Sequence, residues 1–199
     1  MTGLLSLRSS QSAVIDRLRT ENASVALQVM SVVGFALLTA LAAQTHVRLY
    51  LWEVPITLQT AVVYGSGLYL GSRNGMLAQL LYVALGLFVP VYAGDGYGVE
   101  YLTGAVSAGY LLSYPAAAAV VGLLSERWKS LAGSTLSTLV GAAVIFTVGV
   151  TWLHVAAGHE TWMESIDKGF LRFAVIDLAK VLAVGLLYTG TRTLFGANE

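Results

Sequence analysis

The sequence predicts an all-α integral membrane protein, a six-transmembrane-helix bundle with both termini cytoplasmic. Hydrophobic residues make up 56% of its 199 positions and charged residues 11%, against roughly 25% charged in soluble domains, and the mean hydropathy is +0.72. The charges also avoid particular places. Asn22 to Val47, Val54 to Ser72, Asn74 to Gly94, Tyr101 to Ser125 and Ser130 to His159 carry none, and Phe173 to Thr191 carries only Asp177 and Lys180. Each run approximates the 20 or so apolar residues of a spanning helix.

In chain order, residues 1–22 read as a cytoplasmic amino-terminal segment and 23–45 as helix 1. Its apolar length exceeds the 7 to 15 residue core of a signal peptide, so it is read as retained. Ala36 and Ala40 form a small-xxx-small pair, which serves either internal packing or the docking of a partner subunit. Helix 2, about 54–71, opens at Pro55, where no amide hydrogen is needed, and carries Thr57, Gln59 and Thr60. A tight Gly71 to Gly75 turn leads to helix 3, about 75–92. The outer stretch from Tyr92 to Tyr101 combines glycines with Tyr92, Tyr97 and Tyr101. Two readings stand for it: a mobile cap over a pocket, or an interfacial loop with belt tyrosines. Helices 4, 5 and 6 are placed at about 102–124, 131–157 and 170–193. One transmembrane domain over 1–199 leaves no room for a soluble catalytic or nucleotide-binding domain.

Orientation follows from Lys and Arg outside the helices. Arg8, Arg17, Arg19, Arg73, Arg127, Lys129 and Arg192 fall on one side; Arg48, Lys168 and Arg172 fall on the other. The first side is cytoplasmic, so Asp177 lies near the outer end of helix 6.

Asp177 and Lys180 stand three apart, on one helical face. Charges in hydrocarbon cost several kcal/mol and therefore face an interior or a cavity. The pair reads as the floor of a ligand site, with a structural ion pair between two helices as the alternative. Other chemistry is poorly represented. His154 and His159 are five apart rather than the i, i+4 of a helical zinc pair, His46 lies in another connection, and no Gly-x-Ser-x-Gly or Walker pattern occurs. Zero cysteines exclude disulfides and thiolate metal sites, and a net charge of zero argues against nucleic acid.

The order Val54-Pro55-Ile56-Thr57-Leu58-Gln59-Thr60, Leu70-Gly71-Ser72-Arg73-Asn74-Gly75, Gly86 through Pro90 to Gly94, Gly104 through Gly109-Tyr110-Leu111-Leu112, and Gly169-Phe170 to Asp177-Leu178-Ala179-Lys180 resembles the BioY biotin transporters. The resemblance runs from about 24 to 192. It departs where the family has Gly-Pro-Thr-Gly-Gly-Tyr, here Gly104 to Tyr110, and where Arg172 to Asp177 replaces Pro-Phe-Leu-Pro-Gly-Asp. It implies a substrate-capturing S component of an energy-coupling factor importer, without its own ATPase, in the cell membrane. Its partners would be a transmembrane coupling subunit and ATPase subunits, docked partly through Ala36 and Ala40. Ligand contact is implied for Asp177, Lys180 and Tyr110. Tyr110, Tyr92 and Tyr97 are expected to cover or stack on the ligand's rings, and Gln59, Thr57 or Asn74 to be polar neighbours.

Biotin suits these residues. Its ureido ring offers N–H donors and a carbonyl, its tail a carboxylate, and the rest is apolar, so Asp177 can accept and Lys180 can supply positive charge. The expectation is biotin capture with no catalytic residues, no metal and no cofactor. The alternatives are an S component for another small vitamin such as thiamine, or a membrane-embedded enzyme.

Overall fold

In a computed structural model, the described residues are Arg19, 23–45, 53–128 and 130–195. The rest of the amino-terminal segment and the His46 connection lie outside them. Regular structure among the described residues is helical, apart from an isolated bridge at Ile56. The helices are α1 (Val25–Gln44), α2 (Gln59–Leu85), α3 (Gly98–Gly104), α4 (Ala108–Arg127), α5 (Leu131–Ala157), α6 (Trp162–Ile166), a π-helical turn Asp167–Leu171, and α7 (Arg172–Phe195). Of these α1, α4 and α5 are individually long and apolar enough to cross a membrane.

The expected helices 2 and 3 are the two halves of α2. Gly71 joins them at φ 77° and ψ −175°, a conformation in which a β-carbon would be strained. The chain reverses there. A β-carbon on Gly75 would lie 2.9 Å from the Ser66 carbonyl oxygen, and Gln79 Nε2 donates to Ser66 Oγ at 3.1 Å. Further from the turn, Gln59 Nε2 donates to Tyr82 Oη at 2.6 Å. These contacts, each roughly symmetric about Gly71, define an antiparallel helical hairpin.

Several boundaries differ from the sequence expectation. Helix 2 starts at Gln59 rather than 54, because Pro55 stands in a non-helical approach and Thr57 Oγ1 accepts from the Gln59 amide at 3.2 Å. Helix 3 ends at Leu85, not 92: the chain turns through 86–97, and Tyr92 packs back on the hairpin by donating to the Val83 carbonyl at 2.6 Å. The expected helix 4 divides into α3 and α4, separated by the extended Ala105. Helix 5 occupies 131–157 as expected. Helix 6 is preceded by the unforeseen α6 and π turn, and α6 is capped by Thr161, whose side chain accepts from the Glu164 amide.

The interior is built from small and hydroxylated residues. Ser113, Ser125, Ser134, Ser137 and Thr138 are buried, and each hydroxyl donates to a carbonyl three or four residues earlier, so none is left unpaired. Outward-facing positions instead carry Val25, Met30, Leu41, Leu187 and Leu194. Apolar outside with small residues between helices is the arrangement that packing in lipid requires. The α2 hairpin packs on α1, α4 and α7, and α5 lies between α4 and α7.

Ala36 and Ala40 are 0% and 8% exposed and belong to this chain's own core. On the same helix, Thr39 and Gln79 of α2 are hydrogen-bonded at 3.2 Å. The small face expected to dock a partner subunit is taken up by internal packing against α2.

Candidate functional site

Asp177 sits in the second turn of α7 and is 4% exposed. Its partners come from the first half of α2. Thr60 Oγ1 donates to Oδ1 at 2.9 Å and Tyr64 Oη donates to Oδ2 at 2.7 Å. Lys180 Nζ lies 3.5 Å from Oδ1 and donates to Thr60 Oγ1 at 3.0 Å. The Thr60 hydroxyl therefore relays between the two charges, accepting from the ammonium while donating to the carboxylate. Each carboxylate oxygen has two acceptor sites and the ammonium three donors. The pair thus keeps capacity for further hydrogen bonds after its internal ones are made.

That capacity faces a cavity. Val54, Pro55, Ile56, Thr57, Gln59 and Thr60 form one wall and Tyr110, Leu111 and Tyr114 of α4 another; Ile145, Phe146 and Phe173 complete the apolar lining, and Ala93, Tyr101 and Ser107 also border it. The atom-free space, its open mouth and the solvent there included, is about 580 Å³. The enclosed room within it suffices for a few water molecules. The walls are closed in on it.

The aromatic wall is fixed from behind. Tyr110 Oη donates to the Gly169 carbonyl at 2.8 Å, a carbonyl presented by the π turn, and such turns recur at functional sites. The ring lies on Gly149 so closely that a β-carbon there would collide with it. Tyr114 stacks on Tyr82 with centroids 6.5 Å apart, and Tyr82 is held by Gln59.

The structure brings Asp177, Lys180, Tyr110, Thr57 and Gln59 to one cavity, and it places the remaining expected ligand residues elsewhere. Tyr92 is fully buried behind the wall, stacked on Tyr101. Tyr97 is 59% exposed at the start of α3. Asn74 lies by the Gly71 turn, in a polar recess shared with Arg19, Gln28 and Arg73, and donates to Gln28 Oε1 at 3.4 Å. Sequence reasoning does not single out Thr60, Tyr64 and Tyr114 as site residues. Their signal is helical spacing: Thr60 and Tyr64 stand i, i+4 on one face, as do Tyr110 and Tyr114. His154 and His159 are hydrogen-bonded to Ser165, and among the described residues no group of three His, Cys, Asp or Glu side chains is arranged to hold a metal.

Comparison with known proteins gives the arrangement its relatives. A BioY protein of Lysinibacillus sphaericus described as a probable biotin transporter is 32% identical over 169 residues, 81% of this chain and 84% of that protein. The biotin transporter BioY of Thermotoga maritima is 36% identical over 138 residues, 69% of this chain and 80% of that one. The crystal structure of the S-component for biotin from an ECF-type ABC transporter superposes with a TM-score of 0.79 at 20% identity, covering 87% of this chain and 95% of that one, and so shares the fold. The profile of the BioY family matches residues 14–197. The chain belongs to the BioY family.

Proposed function

We infer that this protein captures biotin and takes it up across the membrane as the S component of an energy-coupling factor transporter. The observation that carries the reading is the Asp177–Lys180 pair, with unspent hydrogen-bonding capacity, at the wall of a largely apolar and aromatic cavity, in a chain whose family includes biotin transporters. Biotin's ureido N–H groups suit the free acceptor sites of Asp177. Its carbonyl or carboxylate suits Lys180, and its thiophane ring and aliphatic chain suit Tyr110, Tyr114, Phe146 and Phe173.

The chain is one transmembrane domain of six spans: α1, the two halves of α2, α4, α5 and α7. Arg73 and Arg127 belong to connections at the cytoplasmic side, as do both termini, in keeping with the excess of Lys and Arg there. The cavity, built from the beginnings of α2, α4 and α7, then opens outward. The protein does no covalent chemistry and holds no cofactor. A coupling transmembrane subunit and ATPase subunits supply energy, and because Ala36 and Ala40 are enclosed, their docking surface lies elsewhere.

Equilibrium binding of radiolabelled biotin to the purified chain tests the reading, with excess unlabelled biotin or thiamine as competitor. Saturable binding displaced by biotin and not by thiamine is expected. Displacement by thiamine would move the assignment to another vitamin, and no saturable binding would overturn it.

A further inference from the structure

A second cluster of polar groups lies outside the pocket. Glu53, just before α2, receives Lys168 Nζ on Oε1 at 2.6 Å and meets His159 Nε2 through Oε2 at 2.9 Å. Lys168 also donates to Glu164 Oε1 at 2.8 Å and lies 3.5 Å from His159 Nε2. His159 Nδ1 and His154 Nδ1 each lie 2.9 Å from Ser165 Oγ. A Glu53 carboxylate only accepts, so His159 Nε2 donates to it; Ser165 Oγ also donates to the Thr161 carbonyl at 3.4 Å. The imidazole of His154 is stacked on Trp162 at 4.0 Å, which fixes the far end of this hydrogen-bond relay to α5 and α6.

This cluster has a specific place relative to the pocket. Glu53 borders a second cavity of about 770 Å³ of atom-free space, its opening to solvent included, with Pro55, Tyr101, Gly104, Ala105, Val106 and Ser107. Pro55, Tyr101 and Ser107 line both that cavity and the binding pocket. These three residues are the partition between them. The pocket admits little more than water as it stands, so a ligand the size of biotin passes only if a wall moves. The walls from α4, α5 and α7 are helical, whereas residues 53–58, Ala93 and Ser107 are not. Residues 53–58 are outside any helix, and at their start Glu53 is bonded to Lys168 and His159.

Resting on the biotin reading, we propose that Glu53 is the latch of the passage between the outer cavity and the pocket. Held by Lys168 and His159, it keeps residues 53–57 closed over the ligand, and exchange requires its release. Its side chain is 29% exposed and that of Lys168 24%, so water can replace the bonds when they part. Glu53 is not among the residues that line the pocket. It is a positioning residue that acts through Pro55, Ile56 and Thr57.

A latch has a kinetic signature that a merely structural contact lacks: easier opening multiplies association and dissociation by the same factor and leaves their ratio nearly unchanged. In the purified full-length chain, Glu53→Gln keeps the shape and weakens two charge-assisted bonds. Association and release of labelled biotin should both quicken about tenfold, with affinity held within about threefold. Unchanged rates, or faster release alone, would overturn the latch. Should Glu53→Gln fold poorly, a second variant reads the same motion. The chain has no cysteine, so Glu53→Cys with Lys168→Cys can be joined by a short, reducible thiol-to-thiol bridge. Bridging after loading should trap biotin and reduction should free it; release as fast from the bridged as from the reduced protein would overturn the proposal. Failure of the unmodified chain to bind biotin at all would instead overturn the functional reading, and the latch with it.

Discussion

Tyr64 donates its hydroxyl to Asp177 at 2.7 Å across 113 positions of sequence. The bond joins the first half of α2 to α7 and, with Thr60, aims a buried carboxylate at the cavity. An ionised group in so apolar a setting depends on such donors, because an unpaired buried charge is costly.

Asp177→Asn removes the acceptor and leaves Lys180 without its counter-charge, so biotin binding should weaken by about 2 to 4 kcal/mol. Tyr64→Phe keeps the charge and deletes one donor, with an expected loss of about 1.5 to 3 kcal/mol. Titration calorimetry beside a thermal melt checks both. Wild-type affinity in a well-folded Asp177→Asn protein would remove the pair from the site.

Much of this was legible in the sequence, for identifiable reasons. Asp177 and Lys180 stand out because hydrocarbon penalises charge, so their presence in an apolar run already carries information. Tyr64, Thr60 and Tyr114 do not stand out: hydroxyl groups are common in such helices and most simply bond a neighbouring carbonyl, as Ser113 does with Tyr110. Asn74 falls away from the pocket because it sits at the Gly71 turn, the end of the hairpin opposite Asp177, and Tyr97 because it lies beyond the hairpin with its ring exposed at the start of α3. The hairpin itself was legible from the Gly71 to Gly75 turn. The short α6 and the π turn were not, since five-residue elements leave no periodic pattern.

Gly149 sets the position of the Tyr110 ring. Gly149→Ala would drive a methyl group into that ring, forcing Tyr110 off the Gly169 carbonyl and into the cavity. Overpacking of this kind costs about 1 to 3 kcal/mol. Part of it should appear as weaker biotin binding, and Gly149→Ala with Tyr110→Phe should recover little of that loss, because the displaced ring rather than the lost hydroxyl bond blocks the space. A double-mutant cycle on affinity measures this.

The outer ion pairs give a pH dependence of known sign. The hydrogen bond from Lys168 holds Glu164 below the ordinary carboxylate range, and bonds to Glu164 and Glu53 hold Lys168 above the ordinary amine range. Glu164's contribution is complete above its unfolded pKa of about 4.3 and is lost as pH falls through its lower folded value; that of Lys168 is complete below about 10.4 and is lost as pH rises through its higher folded value. Between roughly pH 5 and 10 the cluster should be flat for these two groups. Melting temperature should therefore fall less steeply below pH 4 in Glu164→Gln than in the parent, and added salt should shrink the difference, because both groups are solvated. Parallel acid limbs at low salt would mean the pair contributes nothing.

Ala36 and Ala40 provide the sharpest test of the bundle's arrangement. Both are enclosed against α2, beside the buried Thr39 to Gln79 hydrogen bond. A tryptophan at either position has no space to enter, and the helices must part to hold it, which separates Thr39 from Gln79 and strands buried polar atoms. Ala36→Trp with Ala40→Trp should therefore lower folded yield and biotin binding together, before any partner subunit is present. Size-exclusion profiles and ligand binding of the isolated chain check this. A well-folded double variant that binds biotin normally but fails to co-purify with coupling subunits would instead place the small face at the surface, and would require α1 to pack on α2 through residues other than Ala36, Thr39 and Ala40.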